Sequence, residues 1–145
     1  MIEISGEYGS GSGTIVRLST AFSALTGKPI RITDIRAKSP SPGLRHQHLE
    51  AVRTLAKICS AKINGDRVGS KEIEFAPKKI TGGEIEVNIE TAGSIGLLSY
   101  AVLIPAVFGK LNTLLKIKGG SIASLWSPPI PYLENVLFPT LSRMG

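Results

Sequence analysis

Cysteine is nearly absent: the 145-residue chain holds one, Cys59, which excludes an internal disulfide and any multi-cysteine metal site. Histidine is as scarce, with only His46 and His48. No uncharged apolar run reaches the ~18 residues of a membrane-spanning helix; the longest, Ile95 to Phe108, is too short and carries Ser99 and Pro105. The sequence opens on a strand pattern from Met1, without a basic segment leading into an apolar one, so no signal peptide is expected. With 19% charged and 42% hydrophobic residues, the expectation is one compact cytoplasmic unit around a single core, with no membrane partner.

What charge there is lies in one place. Lys28, Arg31, Arg36, Lys38, Arg45, Arg53, Lys57 and Lys62 stand against only Asp34 and Glu50, so this segment carries the whole net charge of +6 and the remainder sums to zero. Such a segment is either a solvated face of a basic protein or a footprint for a polyanion.

Within it, the run from Ile35 to Leu49 holds the densest polar chemistry. It leaves a strand pattern at Arg36, crosses Pro40, Pro42 and Gly43, and enters a helix with Arg45, His46, Gln47 and His48 in its first turn. Guanidinium forks, an amide and two imidazoles converge where the free N–H groups of a helix start favour an anion, and phosphate is the simplest ligand. Earlier in the chain, Ser5 to Gly13 carries glycines at 6, 9, 11 and 13, either a tight turn or a loop whose backbone approaches a ligand. A helix is expected from about Thr14, with Ile15, Leu18, Phe22 and Leu25 on its core face. Arg17, about 200° around from Ile15 at 100° per residue, should then point away from the core, beside the glycine loop.

Ile30, Ile32 and Ile35 mark a second strand. A second helix, roughly His46 to Ala61, should bury Leu49, Val52, Ala56 and Cys59, which makes Cys59 a core residue. Lys62 to Phe75 then alternates around Asn64-Gly65 and Gly69-Ser70, a pattern of strand pairs joined by tight turns. From about Gly83 the sequence begins again at an offset of 82: Gly11-Ser12 matches Gly93-Ser94, Phe22 matches Ile104, and Gly27-Lys28 matches Gly109-Lys110. The second copy offers a strand over Ile85 to Ile89, a helix over Ser94 to Phe108 and a strand over Leu114 to Ile117. A last helix after Pro131 is expected to bury Leu133, Val136, Leu137 and Leu141.

Five runs carry a family resemblance: Gly-Ser-Gly-Ser-Gly-Thr-Ile-Val-Arg (9–17), Ile-Arg-Ala-Lys (35–38), Pro-Gly-Leu-Arg-His-Gln-His-Leu (42–49), Thr-Ala-Gly-Ser (91–94) and Trp-Ser-Pro-Pro (126–129). In order and spacing the chain resembles the N-terminal part of the RNA 3'-terminal phosphate cyclase family. The resemblance implies an α/β (α+β) fold of repeated βαβαββ units like the C-terminal domain of translation initiation factor 3, with helices packed on one face of each sheet. Residues 1–80 would form the first repeat and 81–145 a second one, incomplete at its C-terminus. It implies a reaction in which ATP adenylates an enzyme histidine, the adenylate moves to an RNA 3'-phosphate, and the neighbouring 2'-hydroxyl closes a 2',3'-cyclic phosphate. The implied partners are ATP, an RNA 3' end and a divalent metal, Mg or Mn.

By that resemblance Arg17, Arg36, Gln47 and His48 form the nucleotide- and phosphate-contact set, with Lys38 and Arg45 beside them and Gly9, Gly11 and Gly13 in the loop. The departures are Ser10 in place of a metal-associated glutamate, Thr14 in place of a glutamine, Ser39 in place of a second arginine, Tyr100 near an expected glutamine, and Ser121-Ile122 where an acidic residue is common. The family's nucleophilic histidine lies outside these residues, and neither His46 nor His48 has its setting. Two functions follow: an ATP-dependent cyclase, or the N-terminal part of one; and a catalytically inactive, cyclase-like RNA-binding protein of rRNA processing and ribosome biogenesis. A homo-oligomer or a complex with a separate C-terminal chain is expected to complete the second repeat.

Overall fold

The computed structural model describes every residue from Met1 to Gly145. β1 (Ile2–Ser5), α1 (Gly13–Thr26) and β2 (Ile30–Thr33) form a β-α-β unit whose strands run parallel, Ile2 beside Ile30 and Ser5 beside Thr33. α2 (His46–Cys59) follows, then β3 (Lys62–Asn64) and β4 (Ile73–Ala76), an antiparallel pair. β4 lies between β2 and β3, giving the order β1-β2-β4-β3. β5 (Gly83–Ser94), α3 (Ile95–Val107) and β6 (Thr113–Ser121) make a second parallel β-α-β unit with a two-stranded sheet of its own. The chain closes with α4 (Ile130–Tyr132), a π-helical stretch (Leu133–Leu137) and α5 (Phe138–Met144). This is a mixed α/β fold, and none of its helices is long and apolar enough to cross a membrane.

Burial alternates along the strands, as it does when one sheet face is covered. Ile30 and Ile32 of β2, Ile73 and Phe75 of β4, and Ile85, Val87 and Ile89 of β5 point into the core. One cluster joins them, because α2 packs against α1, α3 and β5 and is buried on most of its circumference. Leu49, Val52, Ala56 and Cys59 are all inside, and burial pushes the Cys59 thiol up to about 11, so it is a core residue without thiolate character.

The offset of 82 holds in the structure at the helix starts and at Phe22 and Ile104, but not at the helix ends, where Gly27 is the left-handed C-cap of α1 and Phe108 caps α3. Ser12 and Ser94 each cap the helix that follows, accepting the N–H of Thr14 at 3.4 Å and of Leu97 at 3.0 Å. Phe22 and Ile104 both stay exposed and line one groove between α1 and α3.

Three expectations are corrected. The buried face of α1 is not Ile15, Leu18, Phe22 and Leu25: Phe22 is 62% exposed, while Val16, Arg17, Thr20, Ala21, Ser23 and Ala24 are buried. Small side chains let α1 approach α2 and α3 closely, and Thr20 makes this possible by bonding its hydroxyl to the carbonyls of Val16 and Arg17. Lys62 to Phe75 forms one antiparallel strand pair and not several: Asn64 ends β3, and Gly65, Gly69 and Ser70 lie in the single loop between β3 and β4. That loop is zipped to the Arg36 segment, with the Leu44 N–H donating to Ser70 O, the Gly69 N–H to Leu44 O and the Ile35 N–H to Lys71 O. Gly43 is required there, since a Cβ would sit 2.3 Å from Gly69 O at φ +84. In the C-terminal helix only Leu133 is buried and Val136 is exposed, because the i→i+5 bond from the Phe138 N–H to Leu133 O slips the side-chain register out of the α-helical stripe.

Phe75→Ala is therefore expected to cost about 3–5 kcal/mol of stability in urea titration. Phe22→Ala, at a position the sequence pattern assigned to the core, should change it by about 0.5 kcal/mol or less.

Candidate anion-binding site

A cavity of ≈ 430 Å³ opens where the glycine loop, the Arg36 segment and the start of α2 meet. The loop leaves β1 and is pinned at its base by the Gly6 N–H donating to Thr33 O at 2.7 Å. Lys38 straps its tip: Nζ donates to Glu7 O at 2.9 Å and to Gly9 O at 3.4 Å. Lys38 thus lines the cavity while holding the loop that forms its floor.

Arg36 sits at φ +54 just past β2, and its side chain folds back over its own segment. Nη1 donates to Ser41 O at 2.7 Å and to Gly43 O at 2.9 Å, and Nη2 to Ser39 Oγ at 2.7 Å. Three of its five N–H groups shape the segment, and the other two are left for a ligand. Burial and then the neighbouring Arg45 lower its pKa from the ordinary value.

Arg17 is the more constrained cation. It is only 9% exposed, its sole hydrogen bond runs from Nη2 to Thr14 Oγ1 at 3.3 Å, and it has no ion-pair partner. Burial lowers its pKa too. Its remaining N–H donors open into the cavity with no carboxylate against them, an arrangement that favours an anion.

His48 is fixed by both faces of its ring. The Arg45 N–H donates to Nδ1 at 3.1 Å, the reciprocal half of a capping box, so the ring proton belongs on Nε2. Nε2 faces Gly13, where a Cβ would lie at 2.0 Å, so only glycine lets the first turn of α1 pass the imidazole. Burial, then Arg17, Arg36 and Arg45, hold its pKa down to about 3, far below the ordinary 6.5. His48 is a neutral N–H donor with no free lone pair, which suits a phosphate oxygen and not nucleophilic attack.

The structure thus brings together Gly11, Gly13, Arg17, Arg36, Lys38, Gln47 and His48 on one wall. Gly9 and Arg45 stay outside the lining, Arg45 acting through its backbone N–H and its charge on His48 and Arg36. Arg17 corrects the expectation of a helix face turned away from the core: it belongs to the buried side of α1 and reaches the cavity from there. The basic segment is also not one face. Arg31 pairs with Glu72 at 2.9 Å and Glu3 at 3.7 Å, Arg53 with Asp66 at 3.0 Å, and Lys57 donates to Glu86 O. Acids from distant strands and loops thus neutralise Arg31 and Arg53, while Lys57 is held by a backbone carbonyl.

The opposite wall went unread in the sequence. Leu97 and the turn Ser124, Leu125, Trp126 come from the second β-α-β unit and its following loop. The available signal was the chain's one tryptophan, set in Trp-Ser-Pro-Pro.

Because the folded pKa of His48 lies below its unfolded value, its contribution to stability is complete above about pH 6.5 and is lost as pH falls toward about 3. His48→Asn, which keeps an acceptor for the Arg45 N–H but does not titrate, should flatten the stability loss between about pH 6.5 and 4 in chemical denaturation. His48 should stay neutral by NMR throughout that range.

Residues 8–145 match the family described as RNA 3'-terminal phosphate cyclase. Relatives bearing that name from Pyrococcus furiosus, Methanosarcina barkeri and Methanopyrus kandleri are 50%, 49% and 48% identical over 100% of this chain. The chain spans 42%, 44% and 41% of those relatives, less than half of their length. A match that runs from the glycine loop to the last residue, with about half of all positions identical, establishes that the chain belongs to the RNA 3'-terminal phosphate cyclase family.

Proposed function

We propose that this chain is the nucleotide- and RNA-phosphate-binding part of an ATP-dependent RNA 3'-terminal phosphate cyclase, built from repeated βαβαββ units like those of the C-terminal domain of translation initiation factor 3 (residues 1–80 and 81–145). In that reaction a histidine nitrogen attacks the α-phosphorus of ATP and pyrophosphate leaves. An oxygen of the RNA 3'-phosphate then displaces the histidine, and the 2'-hydroxyl attacks the activated phosphorus to expel AMP and close the ring. This chain's residues bind and orient the phosphates: Arg17 and the two free N–H groups of Arg36 as charged donors, His48 Nε2–H as a neutral one, and Gln47 beside them at the N-terminus of α2. The observation that carries the reading is Arg17, nearly buried at the cavity wall with no carboxylate partner.

The cavity lining offers hydroxyls, an amide, an imidazole and cations but no carboxylate, and Ser10 stands where the family has its metal-associated glutamate. These residues do not fit Mg or Mn, which take hard anionic oxygens.

One observation favours the second reading, a cyclase-like RNA-binding protein of rRNA processing: Ser10 and Ser39 line the cavity where the family has a glutamate and an arginine. On either reading His48, with both ring nitrogens engaged or protonated, is no nucleophile. Incubation with α-labelled ATP should therefore leave the chain without acid-labile label. Full cyclisation by this chain alone would favour the first reading in its strongest form. A reducing, cytoplasmic setting agrees with the single buried Cys59.

Association belongs to the same proposal. Both outer edges of the β5-β6 sheet are unpaired, and Phe22, Ile104 and Phe108 expose an apolar groove between α1 and α3. A second copy or a separate C-terminal chain covers these surfaces. Light scattering at micromolar concentration is expected to report a species heavier than 15.4 kDa; a monomer that binds no apolar dye would refute this.

Arg17→Ala is expected to weaken binding of a 3'-phosphorylated oligoribonucleotide roughly tenfold or more, since a charge-assisted hydrogen bond contributes about 1.5–3 kcal/mol. Arg53→Ala, whose guanidinium is occupied by Asp66, should change it by about twofold at most. Affinity should fall with salt at a log–log slope of about 0.7 per phosphate neutralised, and a flat response would remove RNA from the proposal.

A further inference from the structure

Trp126 is 91% exposed, the most exposed large apolar side chain in the molecule, yet it lines the same cavity as Arg17 and Arg36. Its backbone lies at φ +65, a left-handed conformation that a bulky side chain rarely adopts. Two unfavourable features at one residue, beside a site, call for a compensating interaction that the free chain does not contain.

The turn that presents the indole is firmly held. Ser124 and Ser127 bond to each other through their hydroxyls at 2.7 Å, and the Ser127 N–H and hydroxyl both donate to Ser124 O, at 3.3 and 3.0 Å. The base of the loop is closed by the Ile130 N–H donating to Ile122 O at 2.9 Å. It is locked to the start of α3 by Gly96, where a Cβ would lie 1.9 Å from Pro128 O. Leu125, 83% exposed, adds a second apolar surface next to the indole at the rim. A solvent-facing indole on a held turn beside a cationic pocket is the arrangement that stacks a nucleobase while the pocket takes its phosphate.

We infer that Trp126 is a stacking platform for the nucleobase nearest the RNA 3'-phosphate, holding the strand end across the mouth of the cavity. The inference rests on the phosphate-binding reading of that cavity. Because Trp126 lines the cavity that holds the cations, a strand whose terminal phosphate is bound there carries its last base beside the indole, and a mononucleotide is the alternative that the titration below separates. Stacking of this kind tolerates any base, since each has a π face, so the contact would fix the register of the strand without reading its sequence.

Trp126 is the only tryptophan, so its fluorescence reports the contact directly. The full chain is titrated with a short oligoribonucleotide ending in a 3'-phosphate, the same oligomer with an abasic terminal ribose, AMP, and inorganic phosphate. The expected result is quenching by the intact oligomer, little by the abasic one and none by phosphate, with Trp126→Ala weakening the intact oligomer about tenfold and Trp126→Phe recovering most of the loss. Because the side chain is exposed, the alanine variant should keep the parent's circular dichroism. If AMP quenches and the oligomer does not, the platform serves a mononucleotide and the RNA assignment is wrong. If the oligomer binds equally well to Trp126→Ala without quenching the parent, stacking is refuted while the phosphate site stands. If the parent binds neither phosphate nor oligomer, both readings fall.

Discussion

A positive charge kept almost out of water, with no carboxylate to answer it, is the constraint that organises this molecule. Arg17 projects from the buried side of α1, and its neighbours deepen the imbalance instead of relieving it: Arg36 and Lys38 line the same opening, and Arg45, outside the lining, adds its charge against His48 and Arg36. Each is controlled by a different device. Arg36 spends three donors on its own segment, Lys38 caps two carbonyls of the glycine loop, and Arg45 stays outside while its backbone N–H holds His48. Burial first, and then the surplus charge, keeps His48 neutral, and neutrality gives the ring a defined donor at Nε2. The site is therefore assembled by electrostatics before any ligand arrives, which is the condition for low reorganisation on binding.

The same site ties the two β-α-β units together. The glycine loop, Arg36 and His48 come from the first, and Leu97 and the Ser124–Trp126 turn from the second. Their relative placement depends on a common core in which α2 packs on β5 and α3, while inside each unit one position admits no side chain, Gly13 against His48 and Gly96 against Pro128. The helical face opposite leaves Phe22, Ile104, Val107 and Phe108 in solvent, an apolar groove bordered by Lys78, Lys79 and Lys110.

Much of this was readable from residues alone. Strand order in chain, the apolar stripe of α2, the serine caps at an offset of 82 and the convergence of Arg36, Gln47 and His48 follow from local pattern and from chemistry confined to short runs. The misreadings share one cause, that a linear pattern carries no information on what packs opposite. The larger apolar residues of α1 form a clean stripe, but close approach of α2 and α3 selected the small residues on the other side. Local charge counting gave one basic face, yet Glu72 and Asp66 reach Arg31 and Arg53 from elsewhere in the fold. Trp126 was invisible as a site residue because its role depends on a loop from one unit meeting the cavity of the other.

Four residues other than glycine adopt left-handed backbone: Asp34, Arg36, Ser60 and Trp126. Each conformation costs roughly 1–2 kcal/mol for an L-residue. At Arg36 and Trp126 that cost cannot be removed without removing the guanidinium or the indole as well, so glycine there would trade recognition for robustness. Ser60 is different. It is the C-cap of α2, away from the cavity, with its N–H bonded to Ala56 O, a position where glycine is the preferred cap. The fold thus keeps its improvable strain at the far end of the same helix whose beginning holds the ligand chemistry, and thermal hardening and function can be selected along α2 without competing.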